Sequence, residues 1–113
     1  MTFLKVLFTA GLLLSSHVIL AAGIANNVQV VSVRVDASGK GYISFQGALV
    51  SAPPQCGSGY NNSLAFSTKT EAGRAILTTA LTAKVSGSPM YALGTGSCSL
   101  YSVIEDYSFG FIK

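Results

Sequence analysis

The chain alternates between two rhythms. From residue 28, "VQVVSVRVD" puts Val31, Val33 and Val35 on one parity and Ser32, Arg34 and Asp36 on the other, the period of a half-buried strand. The adjacent Val30 and Val31 break that alternation, which predicts either a bulge or a first part covered on both faces. A turn, "ASGKG" (37–41), returns the chain into "YISFQGALV", where Ile43, Phe45 and Leu49 share a face and Gly47 marks a bend. After a Pro/Gly/Asn-rich loop (51–62), "SLAF" reads as a short strand with Leu64 and Phe66 inward. "MYALGTG" and "YSFGFIK" supply two more strands. The second places Tyr107, Phe109 and Phe111 on one face, read as core, while Ile112 and Val50 point the other way, towards contacts between copies.

Only one segment follows the period of 3.6. In "STKTEAGRAILTTALTAKVSG" (67–87) Thr68 precedes Glu71 by capping-box spacing. Ala72, Ile76 and Ala80, with Leu77 and Leu81 beside them, form an apolar stripe. Thr70, Arg74, Thr78 and Thr82 occupy the far side. Gly73 predicts close packing on a strand, Gly87 stops the helix, and Pro89 forbids its continuation. The order is therefore β-β-β-α-β-β, the connectivity of a five-stranded OB-fold barrel whose helix plugs one open end. An open antiparallel sheet carrying one helix is the alternative.

The first residues follow another logic. "MTFLKVLFTAGLLLSSHVILAAG" offers Lys5, an apolar run from Val6 to Leu20, and then small residues, the order of a secretory signal peptide. The run is shorter than the roughly 20 residues that span a bilayer, which favours a cleaved leader over a retained anchor. Candidate cuts follow Gly23 and Ala25. The second divides the chain into a leader, 1–25, and a single domain, 26–113, exported to the periplasm or beyond, with no stable membrane insertion after cleavage.

In an exported chain, Cys56 and Cys98 most simply pair. Free thiols or an intermolecular bridge are the alternatives. The bridge closes a loop of roughly 40 residues, and chain entropy values that at about 4 kcal/mol. That is a large share of the 5–10 kcal/mol typical of a domain this small.

Composition then removes functions. The chain has net charge +3, one unit of it in the leader, and its basic residues are scattered, so no concentrated stripe predicts nucleic-acid binding. The sole histidine, His17, lies in the leader, which leaves no Ser–His or Cys–His pair for nucleophilic catalysis and no histidine for a catalytic zinc site. Glu71 is assigned to the helix cap, and nothing in the spacing of Asp36, Glu105 and Asp106 predicts convergence. "GTGS" (94–97) lacks the lysine of a phosphate loop. No catalytic residue, metal site or cofactor is expected. Ligand-binding candidates remain: Tyr60 and Asn61 in the first cysteine's loop and Tyr101 just past the second, rings and an amide suited to a sugar's apolar face and hydroxyls.

Taken together, "STKTEAGRAILTTALTAKVSG" and "GTGSCSLYSVIEDYSFGFI" give the chain a resemblance to a group of small exported bacterial proteins of unknown function. In plan alone, leader plus OB-type barrel plus one bridge, it is similar to the B subunits of AB5 toxins. That second resemblance implies a homo-oligomeric ring and a glycan ligand, and it carries no sugar-binding residue over to a position here. The expected role is a non-enzymatic binding module, with a protein-interaction or inhibitor role in the envelope as the alternative.

Overall fold

The computed structural model describes residues 22–113; most of the expected leader lies outside them. The chain is mainly β with a single α-helix. Seven strands form one sheet: β1 (Gly23–Val28), β2 (Val30–Val35), β3 (Lys40–Phe45), β4 (Val50–Ser51), β5 (Ser63–Ser67), β6 (Met90–Gly94) and β7 (Glu105–Ile112). A 3-10 turn spans Gln55–Tyr60, and the helix α1 spans Glu71–Ser86 between β5 and β6. The strand order is β2-β3-β5-β7-β6-β1-β4, antiparallel throughout except for the parallel pair β5–β7.

Seven strands replace the expected five, and the ladder reads as an open sheet with β2 and β4 at its edges rather than as a closed five-stranded barrel. Two causes add strands. Val50 and Ser51 pair with Ile24 and Gly23, a short edge that alternation over two residues is too brief to reveal. The other, β1, precedes the expected first strand, which is β2: it runs through residues expected at the leader's end and is irregular, because Asn27 takes a left-handed φ of 57° and the ladder shifts register between Ala25 and Val28. Asparagine tolerates that conformation better than most residues. Only Gln29 separates β1 from β2, yet the two strands stand five places apart in the order. β1 itself starts at Gly23, so the three residues assigned to the end of the leader are part of the sheet, and Ala25 is buried in the core.

Inside, Ile43, Phe45, Leu64 and Met90 are fully buried, with Val30, Leu49, Phe66, Ala80, Ala83 and Ala92 around them. Burying each large side chain contributes about 1.5–3 kcal/mol. Leu64 and Phe66 point inward as expected. Ala65 is buried too, because β5 lies between β3 and β7.

Two strands present only part of the expected face to the core. On β2, Val30 is the core residue and Val33 is partly buried, while Val31 and Val35 are exposed. The register shifts between Val30 and Ser32, the bulge that the paired valines suggested. On β7, Tyr107 packs against the core as expected, but Phe109 and Phe111 are about half exposed beside Tyr91 of β6, and Ile112 packs against the core as well. Val50 is exposed, as expected.

The helix meets β2, β5 and β7 through Gly73, Ile76, Leu77, Ala80 and Ala83, so its buried stripe is narrow and built from small residues. Leu81, predicted within that stripe, is 45% exposed. Its N-terminus also differs. Thr70, not Thr68, is the cap, and its hydroxyl accepts from Gly73 N at 2.9 Å. Thr68 instead donates to the carbonyl of Gly39 in the β2–β3 turn at 2.7 Å. Glu71 is therefore a first-turn acid favoured by the helix dipole rather than half of a capping box. Gly87 closes the helix with a left-handed φ of 72°, as its position predicts.

Candidate functional site

Cys56 and Cys98 are bonded, with Cα atoms 6.2 Å apart. Cys56 sits in the 3-10 turn after Pro54. Cys98 sits in the loop between β6 and β7, so the bridge joins the segments carrying Tyr60 and Tyr101. What holds that second loop is a pair of carboxylates whose role the sequence did not reveal. Asp106 accepts from the backbone N–H groups of Ser99 (3.0 Å) and Leu100 (3.2 Å) and from the Ser99 hydroxyl. Glu105, 1% exposed, accepts from Gly96 N at 2.9 Å and from Gly23 N of β1. Neighbours on a strand face opposite ways, and each of these side chains is used on its own side. Every buried side-chain nitrogen and oxygen among the described residues has a partner.

The clamped loop delivers Tyr101 to the β2–β3 hairpin, where its phenol donates to Asp36 Oδ2 at 2.5 Å across 65 positions of sequence. Asp36 Oδ1 accepts from Arg34 Nε at 2.7 Å, and Arg34 Nη1 donates to the Tyr42 phenolic oxygen at 3.2 Å. The three tyrosines form a chain of rings. Tyr42 stands in the middle, its ring centroid 5.8 Å from that of Tyr60 and 5.7 Å from that of Tyr101, both edge-to-face. Such pairs add about 0.5–1.5 kcal/mol beyond the area they bury. Arg34 lies over the Tyr42 ring at 5.5 Å, and Lys40 Nζ stands 5.9 Å from the centre of the Tyr101 ring.

The electrostatics follow from this geometry. The Asp36 carboxyl is held below its ordinary range, chiefly by the Tyr101 hydrogen bond and then by Arg34. The Tyr101 phenol is pushed up to about 12, by burial first and then by its bond to Asp36. Arg34 is driven further above its already high value by its bonds to Asp36 and Tyr42. Within the patch the Asp36 carboxylate is thus met from two sides, by the Arg34 guanidinium and by the Tyr101 phenol.

Two of the sequence candidates, Tyr60 and Tyr101, are thus brought into one cluster by Tyr42, which the sequence reading passed over. Tyr42 alternates with the buried Gly41 and Ile43 on β3, so an aromatic on the outer face of a predicted strand was its only signal. Asn61 is exposed beside Tyr60, with its backbone carbonyl taken by Leu49 N. Asn62 is committed to the carbonyl of Phe45. Asp36, Glu105 and Asp106 do not converge: the first belongs to the tyrosine cluster, the second to the core and the third to the loop. The cluster is a platform rather than a cleft. Grooves lie elsewhere among the described residues, one edged by Ala22, Ile24, Ser51, Leu93 and Thr95, another between α1 and β7. No group of three or more metal-ligating side chains occurs among the described residues. Comparison of the chain with protein-family models, curated proteins and solved structures finds no match.

Proposed function

We propose that this chain is an exported, non-enzymatic binding module whose ligand face is the Tyr42–Tyr60–Tyr101 platform and whose ligand is a glycan. The observation that carries the reading is the chain of three partly exposed rings edged by Arg34, Asp36 and Lys40. Ring surfaces suit the apolar faces of sugars, while a carboxylate, a guanidinium and the Asn61 amide suit their hydroxyls. Asp36 balances Arg34, so the patch is not the concentrated positive field that a nucleic acid requires. The closed loop 56–98 and the two loop-holding carboxylates fix the platform before any ligand arrives, which lowers the ordering cost of binding.

Export is supported by the leader-like first residues and by the bridge, since disulfides persist in oxidising compartments. No described helix is long and apolar enough to cross a membrane. An OB-like coiling of the sheet belongs to the same proposal. Strands spaced ~4.8 Å apart would put β1 and β2 about 24 Å from each other in a flat sheet. A single residue, Gln29, joins them, which supports a sheet rolled so that β1 and β2 approach each other.

A glycan array probed with folded protein tests the reading. Hits should weaken at least about tenfold in Tyr60→Ala or Tyr101→Ala, and a clean array with a folded sample removes the proposal. A second reading, a protein partner in the envelope or a second copy of this chain, is favoured by the outward stack of Tyr91, Phe109 and Phe111. Pull-down of a stable protein partner that sugars do not displace, or native mass at a multiple of the monomer, selects it.

A further inference from the structure

Glu105 is the one fully buried acidic side chain among the described residues, and no lysine or arginine reaches it. The ion pair found among those residues is Arg34–Asp36, on the surface. A carboxylate taken out of water is strongly disfavoured unless a cation or a full set of donors meets it. Here the donors are backbone N–H groups, and one of them is unusual. Gly23 N stands 3.0 Å from Oε2 and 3.2 Å from Oε1, facing both oxygens at once. A single peptide N–H is shared thinly in that geometry, whereas an ammonium, with three protons and a positive charge, satisfies it fully.

The surroundings are shaped for the pair. A Cβ on Gly23 would lie 2.6 Å from Glu105 Oε1 and 2.9 Å from Leu49 Cδ1. A Cβ on Gly94 would lie 2.0 Å from Glu105 Oε2. Glycine at both positions lets the carboxylate reach the start of β1. Gly23 is also the first residue of the sheet, paired with Ser51, and it follows a segment that reads as a leader.

From this geometry we infer that export processing cuts between Ala22 and Gly23, and that the α-ammonium thereby released on Gly23 is the charge partner of Glu105. Hydrolysis of the Ala22–Gly23 peptide bond consumes one water, leaving a carboxylate on the departing leader and an amine on Gly23 that takes up a proton. Ala22 supplies the small residue before the cut, although Leu20 departs from the small residue preferred two places earlier. The cuts that the sequence pattern alone suggests fare worse against the fold. Cleavage after Gly23 discards the residue shaped to meet Glu105. Cleavage after Ala25 removes a core side chain and both residues that pair β1 with β4. Docking of the new terminus links processing to the final fold, because Glu105 also holds Gly96 in the loop that carries Cys98 and Tyr101.

This inference rests on the export reading, and two measurements on the exported protein test it. N-terminal sequencing should begin at Gly23-Ile24-Ala25. A start at Ile24 or Asn26 overturns the inference while leaving export intact. A retained Met1 overturns both. Reductive methylation of the native protein should then modify Lys40, Lys69, Lys84 and Lys113 while slowing reaction at the Gly23 amine at least about tenfold relative to the unfolded chain, since a buried ammonium is shielded from the reagent. An amine that reacts as fast as in the unfolded chain overturns the pairing. Glu105→Gln should abolish that protection where it folds, and a protected amine in folded Glu105→Gln counts against the pair. Where it does not fold, the wild-type measurements decide alone.

Discussion

Gly73→Ala sets two physical effects against each other and decides which one wins. In an exposed helix, alanine for glycine stabilises by roughly 1 kcal/mol, because glycine loses more backbone freedom on folding. Gly73, however, is buried where the first turn of α1 docks on the end of β5, and a Cβ there would lie 1.5 Å from the carbonyl oxygen of Ser67 and 3.1 Å from the Thr70 hydroxyl that caps the helix. Ordinary contact needs about 3.5 Å, so the helix start must move by about 2 Å. The obstacle is backbone in a strand, not the free end of a flexible side chain. Overpacking of that kind costs about 1–3 kcal/mol, and the upper end applies here. The net expectation is a loss of about 2 kcal/mol, or a Tm lowered by about 8–16 °C for a domain of this size. Thermal unfolding followed by circular dichroism measures it. Ala75→Gly, on the exposed side of the same helix, is the control and should cost about 1 kcal/mol. A Tm for Gly73→Ala equal to or above that of the parent would refute the reasoning, since propensity rather than contact would then govern the site.

Other expectations follow from the same geometry. Replacing Cys56 and Cys98 together by serine should remove about 4 kcal/mol in denaturant unfolding, because the bridge spans 42 positions of sequence. Thr70→Ala should cost about 1 kcal/mol through loss of the helix cap, while Glu71→Ala should cost well under half of that, reversing the order that a Thr68–Glu71 capping box requires. Alkaline titration followed by tyrosinate absorbance should show Tyr101 ionising near 12. Its raised value means that the folded chain favours the neutral phenol. The resulting stabilisation is full below the ordinary tyrosine value of about 10 and is lost as pH rises through 12. Asp36→Asn should lower that midpoint only in part, because burial is the larger cause.

How much of this was legible in the sequence differs from element to element. The helix, its stop at Gly87, the tight seat of Gly73 and the Cys56–Cys98 pair were legible because each is a local rule or an elimination. Which face of a strand lies inside was not. Alternation marks two faces of β7, but it does not say which is packed: Tyr107 and Ile112 meet the core, while Phe109 and Phe111 stay about half exposed. The cap moved from Thr68 to Thr70 because the Thr68 hydroxyl is drawn to a carbonyl 29 positions away. The roles of Glu105 and Asp106 were not legible because their partners are backbone N–H groups, which every sequence contains and none advertises. Of the site, the bridge and two of its tyrosines were foreseeable. Tyr42, the ring that joins them, becomes visible only when the hairpin and the clamped loop are folded together.

The most direct test of the binding proposal is residue-resolved NMR of the folded exported protein titrated with the best oligosaccharide from the array. The account predicts saturable shifts centred on Tyr42, Tyr60 and Tyr101, with Asp36 and Lys40 following and the Tyr91–Phe109–Phe111 face unmoved. Shifts confined to that second aromatic group, or none from any array oligosaccharide at millimolar concentration (about 4 kcal/mol of binding free energy), would contradict it.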